Sequence, residues 1–375
     1  MTDTRASTAA ATRSAQWRST PSSLASAPPA AWPHKHLLGL QGMDAASLRT
    51  ILSFAGKIPL VTGGGAHEIP RRDDLRGRTV ATLFFEDSTR TRTSFTIAAQ
   101  RLGADVVDLS GGTTSVNKGE TIVDTATNVE AMGIDAIIVR ARQSGAAAMA
   151  AARVQCPVIN AGDGKHEHPT QGLLDTLTIA EAHGRGESFD LSGLRIAIVG
   201  DVASSRVARS GIAAMTALGA TIMCVGPAGM VSPAHAGLMN PGATGRCEIT
   251  HDLDAVLPTV DAVMMLRIQF ERAGEGGGGG GGGGGSTVAG VPAARKTALI
   301  ASIRDYRHGY ALTRDRAALL KPSAVVMHPG PMNRGLEIDG EVADGPRSVI
   351  LRQVSNGVRV RMAALALCHA ASKAR

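Results

Sequence analysis

Aromatic side chains are scarce: six Phe, two Trp and two Tyr in 375 residues. The stacking platforms that hold single-stranded nucleic acids therefore have little to be built from. Cys156, Cys224, Cys247 and Cys368 are scattered with no C-x-x-C spacing. That excludes a disulfide framework or a cysteine zinc site, and the four read as reduced, mostly structural thiols of an intracellular protein. Long apolar runs are missing too. Ser210 to Gly245 carries no Asp, Glu, Lys or Arg, yet Gly219 and Gly226-Pro227 divide it into a helix and a strand. Each is too short to span a bilayer, so no membrane association is expected.

The first 33 residues lack the apolar core of a secretory signal. They are rich in Ala, Ser, Thr and Pro, with Arg5, Arg13 and Arg18 against one acid, Asp3. A transit peptide, a disordered tail and an early start codon all suit that composition. Cytoplasmic location is the expectation, with organelle targeting by this tail as the alternative.

What is present is small-residue and aliphatic: 43% hydrophobic residues, with a formal charge of +7 from 39 Lys and Arg against 32 Asp and Glu. The chain is long enough for two domains and too apolar for disorder. The charge points to an acidic partner, for which a phosphorylated metabolite qualifies as well as a polyanion. After the tail, buried runs alternate with helical segments. Strands are predicted at 79–85, 134–139, 157–160, 194–200, 221–225, 261–266 and 324–327, with helices over 88–103, 168–182 and up to Leu218. Continuous apolar strands joined by helices predict an α/β protein with doubly wound parallel sheets. The polar stretch 184–193 divides it into domains over 34–185 and 186–358, and 359–375 reads as a C-terminal helix packing back. Gly276–Gly285, ten glycines inside a loop over 273–292, is expected to be a disordered surface insertion.

The strongest chemical signal is Phe84-Phe85-Glu86-Asp87-Ser88-Thr89-Arg90-Thr91-Arg92-Thr93-Ser94-Phe95. A buried strand ends and hydroxyls and arginines crowd the first turn of a helix. Backbone N–H groups and the helix dipole favour an anion there, and Ser88 is a natural N-cap. Arg90 and Arg92 offer guanidinium forks suited to phosphate. His168-Pro169-Thr170-Gln171 opens another helix after a strand, placing a His and a Gln in the same crevice. Arg140, Arg206 and Arg267 stand at further strand ends, where open α/β sheets bind ligands. Each alone is commonly a surface salt bridge; Arg206 and Arg267 together can hold a dicarboxylate. His166-x-His168 lacks further ligands at metal spacing, so no metal site is assigned. Gly200-Asp201-Val202-Ala203-Ser204-Ser205 lacks the second and third glycines of G-x-G-x-x-G, which argues against a dinucleotide. No P-loop, H-E-x-x-H or G-x-S-x-G occurs.

Together these segments resemble the aspartate/ornithine carbamoyltransferases. The FFEDSTRTRTSF run is similar to that family's carbamoyl-phosphate signature. The likeness continues through Ser115-Val116-Asn117-Lys118-Gly119-Glu120-Thr121, Arg140, HPTQ at 168–171, Arg206, RIQFER at 267–272 and HPGPMNRGLEI at 328–338. Arg267-x-Gln269 suits a side-chain carboxylate and repels an ammonium, and His328-Pro329-Gly330-Pro331 lacks the cysteine of the ornithine enzymes, so the aspartate branch is favoured. The resemblance implies a carbamoyl-phosphate domain and an aspartate domain. Ser88, Thr89, Arg90, Thr91 and Arg140 would bind carbamoyl phosphate, and His168 would polarise its carbonyl. Gln171 with the Gly330 and Pro331 backbone would hold the amide, and Arg206, Arg267 and Gln269, with Lys118, the aspartate. Ser115 and Lys118 would reach a neighbouring subunit's site in a homotrimer; Asn117 replaces a lysine frequent in the family. No cofactor is implied. A regulatory chain or a dihydroorotase partner is compatible with the family. Transfer to another amine such as ornithine, and a silent scaffold, are the alternatives.

Overall fold

A computed structural model of the chain describes residues 28–29, 32–59, 71–110, 120–268 and 303–374. The chain opens with helix α1 (Ala45–Lys57), whose N-cap Asp44 accepts a hydrogen bond from the backbone N–H of Ser47. The first sheet follows: β1 (Thr79–Phe84), α2 (Thr89–Arg101), β2 (Asp105–Ser110), α3 (Ile122–Ala131), β3 (Ala136–Ala141), α4 (Ala146–Ala151), β4 (Val158–Asp163) and α5 (Pro169–Ala182). Its strands are parallel, in the order β2-β1-β3-β4. The second sheet is built from β5 (Arg195–Val199), α6 (Arg206–Ala217), β6 (Thr221–Val225), β7 (Arg246–Thr250), α7 (Leu253–Val256), β8 (Ala262–Met265), α8 (Ile303–Tyr310), α9 (Arg314–Leu319) and β9 (Val325–Met327). It too is parallel, in the order β7-β6-β5-β8-β9. A short α10 (Gly340–Ala343) precedes the long α11 (Ile350–Lys373).

Both sheets are covered on both faces, as their apolar strands require. Ala126, Val129, Ala147 and Ala150 of α3 and α4 close one side of the first sheet. On the other, one apolar cluster runs continuously through both sheets. It joins Val80 and Ile138 to Leu173 and Leu177 of α5, Ile212 and Met215 of α6, and Ile196 and Ile198 of β5. Burial of each such side chain contributes roughly 1.5–3 kcal/mol relative to exposure. Where α5 crosses α6, a Cβ on Gly172 would stand 2.8 Å from that of Ser210, so only glycine permits this approach.

Three parts differ from the sequence reading. Strands β2 and β7 are edge strands, half exposed and interrupted by Asp105, Asp108 and Glu248, so no apolar run marks them. The third predicted strand continues past Asn160 to Asp163. The C-terminal helix begins at Ile350, not near 359, because Gln353, Asn356 and Arg359 are buried and bonded inside it. It packs back against α1, α2 and α5 of the first half.

Strand order reverses between β1 and β3 in one sheet and between β5 and β8 in the other. Such switch points open a crevice at the carboxyl ends of the strands. Here the two crevices face one another.

Candidate active site

The facing switch points enclose a cleft of about 960 Å³. Its wall comes from residues just beyond β1 (Glu86–Thr91), β3 (Arg140, Arg142), β4 (Gly164, Lys165, His168), β5 (Asp201, Ser204–Arg206), β8 (Leu266, Arg267) and β9 (His328–Met332). Among the described residues, Arg90, Arg140, Arg142, Lys165, Arg206, Arg267 and Arg361 line it against Glu86, Asp87 and Asp201. Seven cations to three carboxylates, between low-dielectric walls, define a site for small polyanions.

At the head of α2, Ser88 occupies the N-cap position in extended conformation, but its hydroxyl caps nothing. The first turn of the helix thus keeps its dipole and N–H groups for a ligand. Arg90 stands beside them. Burial, reinforced by the charge of Arg267, depresses its pKa. Gly330 has a positive φ of 66°, and a Cβ there would collide with the Arg90 guanidinium. Arg92 corrects the sequence reading. Two residues along a helix is more than half a turn, so it turns away from the cleft and lies 3.6 Å from Asp108 on β2.

Glu86 organises the centre. Arg206 donates to both its oxygens, Nη1 to Oε2 and Nη2 to Oε1, each at 2.9 Å. Arg140 donates to the same Oε1 at 3.2 Å and to the carbonyl of Ala161 at 3.0 Å. One carboxylate from the first half therefore clamps an arginine from each half, in the bidentate geometry that fixes guanidinium planes. Of the two arginines assigned to a dicarboxylate, Arg206 has its fork engaged by Glu86.

His168 is buried at the N-cap of α5, and its backbone N–H donates to Ser210 Oγ at 3.0 Å. Its ring Nδ1 has no partner among the described residues. Burial, then the charges of Arg140, Arg206 and Arg361, hold its pKa well below the usual value, so the ring is neutral. One turn on, Gln171 donates from Nε2 to Asp175 Oδ1 at 3.0 Å. Gln353 of α11 donates to that same oxygen at 2.7 Å and accepts from the backbone N–H of His328 at 3.0 Å. Burial pushes the Asp175 carboxyl up to about 7. Nearby Arg361, fully buried with its guanidinium 5.1 Å above the Phe95 ring, is lowered to about 9 by burial and by Arg140, against the opposing pull of Asp175. The Gly330 N–H donates to His328 Nδ1 at 2.8 Å, so His328 Nε2 carries the proton it shares with Glu337 at 3.1 Å.

Of the residues singled out in the sequence, Ser88, Thr89, Arg90, Thr91, Arg140, His168, Gln171, Arg206, Arg267, Gly330 and Pro331 all line this one cleft. Ser115, Lys118, Gln269 and the glycine run lie outside the described residues. Sequence reasoning gave no role to Glu86, though it stands inside the signature, and missed Arg142, Lys165, Asp175, Gln353 and Arg361. A signal existed for Asp175: it lies four residues after Gln171 on one helix face. Arg359 and Arg361 are cations set among Val358, Val360 and Met362, which is a sign of buried partners or a ligand.

Fold and cleft define a class: a two-sheet α/β protein that brings two small anionic ligands together between its halves. The chain belongs to the aspartate/ornithine carbamoyltransferase family. Residues 35–181 match the carbamoyl-phosphate-binding domain of that family and 192–368 its Asp/Orn-binding domain. The aspartate carbamoyltransferase catalytic subunit of Gluconobacter oxydans is 48% identical over 331 residues, 88% of this chain and 94% of that protein. That of Myxococcus xanthus is 46% identical over 90% of this chain and its own full length. Among solved structures, aspartate transcarbamoylase from Trypanosoma cruzi in complex with carbamoyl phosphate aligns with a TM-score of 0.73 at 28% identity, covering 90% of this chain and 98% of that one. Ornithine carbamoyltransferase from Thermus thermophilus aligns with a TM-score of 0.70 at 25% identity, over 89% and 98%. Fold alone thus spans both acceptor branches, whereas these two relatives near half identity are both aspartate carbamoyltransferase catalytic subunits.

Proposed function

We infer that this protein transfers the carbamoyl group of carbamoyl phosphate to the amine of L-aspartate, giving N-carbamoyl-L-aspartate and phosphate, a step of pyrimidine biosynthesis. The observation that carries this is the single cleft in which the helix head at Ser88–Thr91 faces Arg267 across the junction of the two sheets. Near-half identity to aspartate carbamoyltransferase catalytic subunits supports the choice of acceptor.

The phosphate sits on the α2 N-terminus with Ser88, Thr89, Arg90 and Thr91, where backbone N–H groups and a guanidinium meet it. The carbonyl oxygen faces Arg140 and His168. Gln171 and the backbone at Gly330 and Pro331 take the carbamoyl amide. Arg267, Arg206 and Gln269 receive the two carboxylates of aspartate. The neutral amine attacks the carbonyl carbon, and the C=O electron pair moves onto oxygen. The oxyanion is stabilised by charges and dipoles already aimed at it. Collapse expels phosphate, which carries away the amine proton. Neither a protein nucleophile nor a metal is needed: alignment of two anions in one low-dielectric cleft supplies most of the acceleration. Ser115 and Lys118 complete the site of the adjacent subunit in a homotrimer, a reading that rests on the family resemblance.

The test is a steady-state acceptor panel with carbamoyl phosphate as donor. Carbamoyl-aspartate should form with a kcat/KM at least about a hundredfold above that for ornithine, since a cationic subsite rejects an ammonium. Ornithine as the better acceptor would overturn the assignment.

A further inference from the structure

Asp175 does not itself line the cleft and is fully buried, yet two cleft-lining amides end on it. The orientation of those amides follows from donors and acceptors alone. The backbone N–H of His328 can only donate, so the side-chain oxygen of Gln353 must face it. The NH₂ of Gln353 then points to Asp175 Oδ1, which must accept. When Asp175 is ionised its Oδ1 can only accept, so Gln171 also presents its NH₂ there, which leaves the Gln171 carbonyl oxygen for the cleft it lines. Along the other arm, His328 is held at its backbone by Gln353 and in turn takes the N–H of Gly330 on its ring.

We propose that Asp175 is a positioning residue for donor recognition: its carboxylate sets the Gln171 amide with the carbonyl oxygen toward the substrate and, through Gln353, anchors the 328–331 loop, so that the cleft presents acceptors to the –NH₂ of the transferred group. The proposal rests on the functional reading above and deepens it by naming what separates a carbamoyl donor from an acyl donor of the same shape. Acetyl phosphate carries the same phosphate and carbonyl but has a methyl group where carbamoyl phosphate has its amide. A methyl facing fixed acceptor oxygens leaves them buried without a donor, which is how a site built for N–H rejects an isostere. Without Asp175 the Gln171 amide is free to turn over, and this discrimination is lost.

The experiment uses the full chain and measures KM for carbamoyl phosphate and the inhibition constant of acetyl phosphate against it. Asp175→Leu is expected to raise KM about tenfold or more while the acetyl phosphate constant moves less than about threefold. Asp175→Asn, whose oxygen still accepts both bonds, should stay within about threefold of the unmodified protein for both. A purely structural role would shift both ligands together, or leave Asn as impaired as Leu, and either result overturns the proposal. Should the Leu variant not fold, Gln353→Leu cuts only the arm to His328. It should raise KM for carbamoyl phosphate about threefold or more, and an unchanged KM overturns the proposal. Failure of the unmodified protein to carbamoylate aspartate would overturn the functional reading instead.

Discussion

His168 shows how much of this site depends on charge held off a side chain. Burial and three guanidiniums, Arg140, Arg206 and Arg361, place its pKa well below 6.5. The folded ring therefore stays neutral where an ordinary histidine protonates, and it can polarise a carbonyl without adding a further positive charge to the pocket. The unfolded chain binds the proton that the folded one refuses. The group's contribution to stability is thus complete above its unfolded value near 6.5 and declines as the pH falls below it. Imidazole ¹⁵N resonances of His168, assigned by their loss in His168→Gln, should keep the neutral pattern from about pH 8 down to about pH 5.5. A resonance titrating near its ordinary value would sink this role. Single residues were unequally legible. Ser88 to Thr91 could be read because a strand end and a helix start are local events, whereas Arg92 was misread by overlooking helical rotation. Asp175, Gln353 and Arg361 come together only through tertiary packing of α5 against α11, so local patterns flag Asp175 and Arg361 singly but not their meeting with Gln353.

Among the elements, α11 carries the clearest divergence between local propensity and final structure. Ser355, Asn356 and Gly357 are poor helix formers, yet the helix runs through them. Their neighbours are bonded elsewhere: Arg359 donates to the carbonyls of Ala55 and Ile58 at the end of α1, and to Glu181 of α5 at 2.6 Å. Glu181 also accepts from Arg352 at 2.9 Å and from Asn356 at 2.9 Å. Burial alone would raise the Glu181 pKa, but Arg359, Arg352 and Asn356 outweigh it and hold the carboxyl below its usual range. That stabilisation is full above the unfolded glutamate value and is lost as the pH falls through the lower folded one. Removing the carboxylate takes away the counter-charge that these two guanidiniums share while both stay largely out of solvent. Glu181→Ala should accordingly cost about 3–5 kcal/mol, read from the denaturant midpoint, and a loss below about 1 kcal/mol would show the cluster to be solvated. The strands divide on the same principle. Those buried on both faces, β1, β3, β5, β6 and β8, are apolar runs visible in the sequence. The edge strands β2 and β7 are specified by pairing with a neighbour and not by their own composition.

At the scale of the whole molecule, the positive charge and the two-part architecture have one explanation. Seven of the 39 basic residues line a single cleft, each sheet contributing part of it, so the charge is concentrated where two anionic metabolites must meet. If Lys118 serves a neighbouring subunit, the site is divided a second time, between chains. Arg90→Ala should lose about 3 kcal/mol or more of transition-state stabilisation, as loss of a preorganised donor does elsewhere. Lys118→Ala should also be nearly inactive alone. The two lesions then lie in different chains of every site. In a cyclic trimer each interface is heterologous, so an intact site needs a protomer with Arg90 followed by one with Lys118. Random assembly of equal amounts of the two variants satisfies that at about one site in four. Co-refolded or co-expressed mixtures should therefore regain about a quarter of the unmodified activity per site, while mixtures kept as separate trimers stay inactive. Were Lys118 to act within its own chain, every protomer would carry a broken site and no mixing ratio would restore turnover.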